Sequence, residues 1–263
     1  MGCARETILS VLQQLAPSQL AESWDNVGLL IDPTGRSTFE RALVTIDLTE
    51  TVLDEALKLG ADLIVAYHPP IFSGLKHLRC TVAKERVVLR AIAAALTIYS
   101  PHTALDSVPG GMGDWLAQAL GPGQTTPILA ATSDPRAGAG RFIQLDQSLT
   151  IDQAVTLIKA HLGLKHVRVG APSTPCTIRT AAVCPGAGGG IFERLGHVDL
   201  LLTGEMRHHD VLERVARGSY VVLTEHTNSE RGYLPQLAQD IEQRCAGLAV
   251  FVARSDADPL IVV

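Results

Sequence analysis

Three short segments carry side chains of the kind that hold a metal ion: Tyr67-His68-Pro69-Pro70, Pro101-His102-Thr103-Ala104-Leu105-Asp106 and His226-Thr227-Asn228-Ser229-Glu230. Imidazoles and carboxylates are the donors that borderline divalent metals such as zinc or manganese take. Each segment follows an apolar run that reads as a buried strand. In α/β sheets, residues just past the carboxyl ends of parallel strands meet in a common crevice. His68, Asp106, His226 and Glu230 are therefore candidates to converge. Glu205, and His209 within His208-His209-Asp210, follow another strand end and are candidate acid–base groups beside them.

Taken singly, each residue also has a plain reading. Glu230 can offset a helix dipole, with His226 a loop residue beside it. His68 can make a local hydrogen bond at a strand end fixed by two prolines, and Asp106 is ordinary turn chemistry. His102 can donate a supporting hydrogen bond or face solvent. Glycines 186, 188, 189 and 190 stand between a strand and a helix, where backbone amides can cradle an anion or glycine can simply permit a tight turn.

The elements that must position these residues read as α/β. Helical spacing over 5–15 precedes the strand Arg41–Ile46, then a helix that Thr49 caps and Gly60 ends, then the strand Asp62–Ala66. A helix over 82–95 leads to the strand Leu96–Ser100, and another helix runs over 113–120. Residues 125–145 read as a linker or edge segment dividing one lobe, 1–124, from a second, 146–263. In that second lobe strands at 178–183, 198–202 and 220–224 alternate with helices, and Glu230 starts a helix reaching Cys245.

Composition bounds the class. The 263 residues are 46% hydrophobic and 19% charged, which fits a folded globule with ample core. Aromatics make up only 4%, so small aliphatic side chains must fill that core. The net charge is −5, without a Lys/Arg run, which argues against nucleic acid as a partner. Five cysteines with no CxxC pair fit a reducing compartment. With no apolar stretch of membrane-spanning length and no signal-peptide pattern, a cytoplasmic protein is expected, with nuclear or mitochondrial location as further options.

Together with Glu22-Ser23-Trp24-Asp25-Asn26-Val27-Gly28-Leu29 and Leu202-Thr203-Gly204-Glu205, the three segments resemble the Nif-three-like family, also labelled GTP cyclohydrolase I type 2 homologue, and most closely its eukaryotic form. The resemblance runs from about residue 5 to the end. It implies two similar α/β lobes with largely parallel sheets and a dinuclear metal centre in the crevice between them. It maps the ligands onto His68, Asp106, His226 and Glu230, with Glu230 as the bridge. It further implies a homo-oligomer, a dimer or a hexamer, binding one or two divalent ions of zinc, manganese or iron per chain. Bacterial members carry two consecutive histidines where this chain has Tyr67-His68, and a phenol with pKa ~10 is a poor substitute ligand. The expected activity is metal-dependent hydrolysis of a small nucleotide or phosphoester. The alternative is a non-catalytic, metal-stabilised scaffold that binds proteins such as transcriptional regulators.

Overall fold

The computed structural model describes residues 2–263. Two compact units emerge, one comprising the chain through Leu105 together with Tyr233–Pro259, the other Asp106–Gly232 with Leu260–Val263. These bounds differ from a simple division into consecutive lobes, because the first unit is completed by residues near the end of the chain.

The first stretch contains β1 (Cys3–Ala4), α1 (Arg5–Leu15), β2 (Gly28–Ile31), β3 (Thr38–Phe39), β4 (Arg41–Thr45), α2 (Glu50–Leu59), β5 (Leu63–Ala66), α3 (Ala83–Ala93) and β6 (Thr97–Ser100). The middle stretch contains α4 (His102–Ser107), α5 (Met112–Ala117), β7 (Gly123–Ala130), β8 (Gly138–Leu149), α6 (Ile151–Leu162), β9 (Arg168–Gly170), β10 (Ile178–Ala187), α7 (Gly189–Phe192), β11 (Leu200–Glu205), α8 (His208–Ala216) and β12 (Tyr220–Leu223). The last two elements are α9 (Leu234–Arg244) and β13 (Ala249–Val252).

The first unit's main sheet has the order β13-β4-β5-β6-β2. Its pairings are parallel except β2 with β6. The strands read as continuous apolar runs because both faces are buried: Leu43, Ile64 and Ile98 pack on one face with Val52, Leu53 and Ala56 of α2 and Val87, Val88 and Ala91 of α3, and Val44, Leu63 and Val65 are buried on the other. Thr49 caps α2 by accepting from the Val52 N–H, and Gly60 ends it in the left-handed conformation, as its sequence predicts.

The second unit's sheet runs β7-β8-β10-β11-β12-β9. It is mixed, not largely parallel. Only β10–β11 and β11–β12 pair in parallel, through crossovers carrying α7 and α8. The short loop between β7 and β8 imposes an antiparallel hairpin, and β8–β10 and β12–β9 are antiparallel as well. The stretch 125–145, expected as a linker or edge segment, is thus built into this sheet, with β7 at its edge. Arg141 is buried and anchors α5 through a 2.6 Å hydrogen bond from its Nε to Asp114, while its Nη1 donates to the Gly138 and Gly140 carbonyls.

One device sets register in both sheets. Asp62, just ahead of β5, accepts the Glu40 and Arg41 N–H groups at the start of β4. Asp199, just ahead of β11, accepts the Arg179 and Thr180 N–H groups at the start of β10. Burial alone would raise the Asp199 pKa, but these hydrogen bonds outweigh it and hold the carboxyl below its usual range. Among the described residues no helix is long and apolar enough to cross a membrane.

Candidate metal centre

In the first unit His68 stands two residues beyond β5, and its backbone N–H donates to the Ile46 carbonyl at the end of the neighbouring β4. Its Nδ1 lies 2.9 Å from Asp47 Oδ1. An imidazole whose Nδ1–H donates to a carboxylate presents the Nε2 lone pair outward, the tautomer a metal ligand needs. Tyr67 is buried, and its ring lies 5.0 Å from that of His68.

His102, at the start of α4, is held still more firmly. Its backbone has φ +27, rare for a residue with a Cβ. Its Nδ1 lies 2.7 Å from Asp25, whose side chain is 0% exposed. Asp25 also accepts from the Thr103 backbone N–H and hydroxyl. Burial pushes the Asp25 pKa up, and the hydrogen bonds from His102 and Thr103 more than reverse this, so the carboxylate stays ionised below its usual range. His102 therefore has a supporting partner and is not a plain solvent-facing loop residue. Asp106 sits half-buried within α4, a helix where the sequence suggested a turn.

In the second unit β11 extends through Thr203 and Gly204 to Glu205, three residues further than its apolar run predicts. Glu205 Oε1 lies 2.8 Å from His226 Nδ1. That contact makes Glu205 an orienting group for His226, a role sequence reading missed. The other ring nitrogen, Nε2, is 3.6 Å from Glu230 Oε1. Two ligands each ~2.1 Å from a tetrahedral ion stand roughly 3.4 Å apart, so this spacing suits a shared cation. Glu230 is 2% exposed.

Glu230 does not lie in the first turn of a long helix, contrary to its sequence reading. Single 3-10 turns at Thr227–Ser229 and Arg231–Tyr233 flank it, and α9 begins only at Leu234, where Pro235 favours a helix start. Neither Asn228 nor Ser229 caps that helix. Asn228 donates to the Thr224 carbonyl, and Ser229 Oγ donates to the His226 carbonyl while accepting the Gly186 N–H.

The glycine-rich turn has a different use from the anion cradle its composition allows. The Gly186 and Gly188 amides are buried and donate to Ser229 and Thr203 hydroxyls. A Cβ on Gly186 would stand 2.8 Å from Glu230 Oε1 and 2.9 Å from His226 Nε2, and its φ is +60. Glycine there leaves room for the two candidate ligands. His209 is exposed in the first turn of α8, its ring 5.4 Å from that of His208.

His226 and Glu230, an imidazole and a carboxylate, are the candidate metal ligands of the second unit, and His68 is a candidate ligand of the first. The partners Asp47 and Asp25 escaped sequence reading. The available signal was an acidic residue just past the strand that pairs with the histidine's own strand, and the acidic member of Trp24-Asp25-Asn26.

Residues 3–259 match the family described as Duf34/NIF3 (NGG1p interacting factor 3). NIF3-like protein 1 of Drosophila melanogaster is 39% identical, the match covering 97% of this chain and 88% of that protein. Protein NIF3 homolog of Schizosaccharomyces pombe is 38% identical over 95% of each chain. Among solved structures, a Bacillus cereus protein related to NIF3 superposes with a TM-score of 0.86 at 20% identity, covering 99% of both chains. Reduced HcgD from Methanocaldococcus jannaschii superposes at 0.83 and 20% identity, over 97% of this chain and 99% of that one. At these identities the structures establish a shared two-lobe α/β fold, and the sequence matches go further: this chain belongs to the Duf34/NIF3 family.

Proposed function

We propose that the chain is a metal-dependent hydrolase acting on a small nucleotide or phosphoester. The observation that carries this reading is the pairing of each candidate ligand histidine with a carboxylate on Nδ1: Asp47 on His68 and Glu205 on His226. Orienting carboxylates of this kind fix the tautomer and raise the basicity of metal-bound imidazoles. The donor set of His68, Asp106, His226 and Glu230 suits zinc, manganese or iron, and one or two ions per chain. When bound, such a cation supplies Lewis acidity that makes water a nucleophile near neutral pH.

The chain's own residues divide the remaining work. Asp47 and Glu205 orient the imidazoles. Glu230 contributes negative charge in a buried position, and Gly186 keeps the space beside it open. His209, exposed at the start of α8, carries protons between the site and solvent, with Glu205 assigned to positioning. Assembly into a homo-oligomer is part of the same proposal.

The family description favours a second reading, in which a metal-stabilised scaffold binds a protein partner, since it names an interaction with NGG1p for its namesake. A broad screen of phosphoesters and nucleotides with metal-loaded protein separates the two. Hydrolysis that disappears in the His226→Ala/Glu230→Ala double variant is expected. Hydrolysis that survives in that variant, or none with any substrate, would overturn the hydrolase reading.

A further inference from the structure

The segment Trp24-Asp25-Asn26 does three things at once. Asp25 orients His102, as described above. The Asn26 amide donates to the Ile71 carbonyl at 2.5 Å and so ties the start of the 71–82 stretch to this segment. Trp24 itself projects outward, 58% exposed, and the residue after the tethered Ile71 is Phe72, 50% exposed. These are the two most exposed side chains among the described phenylalanines, tyrosines and tryptophans.

The two rings lie 5.9 Å apart and are inclined at 47°, so their faces diverge. Both meet the His102 ring edge-on, Trp24 at 6.2 Å and Phe72 at 6.3 Å. The His102 ring in turn lies 5.4 Å from that of His68. The pair therefore stands one ring away from a candidate metal ligand, on a base fixed by a fully buried carboxylate. Single exposed apolar side chains are ordinary, but two adjacent aromatics held by separate tethers are a pre-organised surface. Diverging π faces favour a flat guest that stacks, and they present no row of backbone donors or acceptors for a peptide strand.

We propose that Trp24 and Phe72 form a stacking platform for a nucleobase-sized heteroaromatic ring of the substrate, with His102 as its floor. The platform determines which substrates are held beside His68, and in that role it rests on the hydrolase reading. Ring binding itself stands on the geometry of the first unit alone.

The test uses the protein's own tryptophans. Among its two, Trp115 is buried and Trp24 is exposed, so quenching by a stacked ligand reports Trp24. Metal-stripped full-length protein is titrated with AMP, and with ribose 5-phosphate as a control lacking the ring. Saturable quenching by AMP alone is expected. Phe72→Ala and Phe72→Leu should each weaken it roughly tenfold, within the range that loss of an aromatic–base stack produces. In Trp24→Phe the remaining emission should not respond.

The His226→Ala/Glu230→Ala variant should quench like the parent, which separates this proposal from the metal assignment. Absence of saturable quenching, equal quenching by ribose 5-phosphate, or an unchanged affinity in both Phe72 variants would overturn it. So would Trp24 emission that depends on protein concentration without ligand and a Trp24→Ala variant of smaller oligomeric state, which would show that a second copy covers this face.

Discussion

In both units an aspartate just ahead of a parallel strand accepts two N–H groups from the start of its neighbour, Asp62 in one and Asp199 in the other. Both units then place candidate site residues where three adjacent parallel strands end, yet the occupants differ. Past β4, β5 and β6 stand Asp47, His68 and His102. At the ends of β10, β11 and β12 stand Gly186, Glu205 and His226. The carboxylate–histidine pair thus sits on the first two strands in one unit and the last two in the other. In each case 21 residues separate the partners. The strand frame supplies positions, and the side chain filling each position decides whether it orients, ligates or leaves room.

The sharpest way to break this comparison is to remove ligands from one unit only. His226→Ala with Glu230→Ala should reduce the divalent metal content of purified protein to background by elemental analysis. Undiminished content would mean that the second unit's occupants are not ligands at all.

The two orienting carboxylates offer a finer contrast. Asp47→Asn and Glu205→Gln should each weaken metal affinity by roughly 10- to 100-fold, the range for loss of such a partner. Glu205 is 53% exposed, where water can replace its hydrogen bond, so Asp47→Asn should cost more in a chelator-competition titration. Equal losses would show that exposure does not grade the two pairs.

The glycine has no counterpart in the first unit, where prolines 69 and 70 follow His68. Gly186→Ala should cost about 1–2 kcal/mol from its left-handed backbone alone, read as a lower midpoint in urea. It should also weaken metal binding through the His226 and Glu230 contacts. Unchanged metal affinity would remove Gly186 from the site.

The smallest effect concerns a histidine without a carboxylate. Burial pushes the His161 pKa below 6.5, partly opposed by a backbone hydrogen bond with Trp115, and its ring lies 4.6 Å from that of Trp115, tilted by 40°. A depressed pKa means the unfolded chain binds more protons. The stability contribution is thus full above 6.5 and lost as pH falls through the folded value. His161→Phe should flatten the decline in melting temperature between about pH 7.5 and about pH 5 relative to the parent. An identical decline would show that other groups cause it.

The sequence carried the strands that place these residues, because runs such as Leu63-Ile64-Val65-Ala66 are buried on both faces and read as such. It did not carry the orienting role of Asp47 or Asp25. Each contacts a histidine on a different element, so the pairing exists only once the strands are aligned. Glu230 was found as a candidate ligand but misplaced on a helix, since polar Asn228 and Ser229 look like caps while their hydrogen bonds go elsewhere. The mixed second sheet was obscured by Pro127 and the glycines around it, which resemble a linker although they lie in an edge hairpin.

The strand β13 is the last element of the chain and an edge of the first unit's sheet, paired along β4. Beyond it, Asp256 accepts the Ile46 N–H at 2.7 Å, and Glu55 accepts the Arg254 and Ser255 N–H groups. On the ribosome, therefore, residues 2–105 emerge long before the partners that complete their sheet. The strand β4 must wait with an open edge while the whole of the middle stretch is synthesised. Chains stalled or cleaved within α9 would expose that edge, so nascent-chain association with chaperones should persist until β13 has left the exit tunnel.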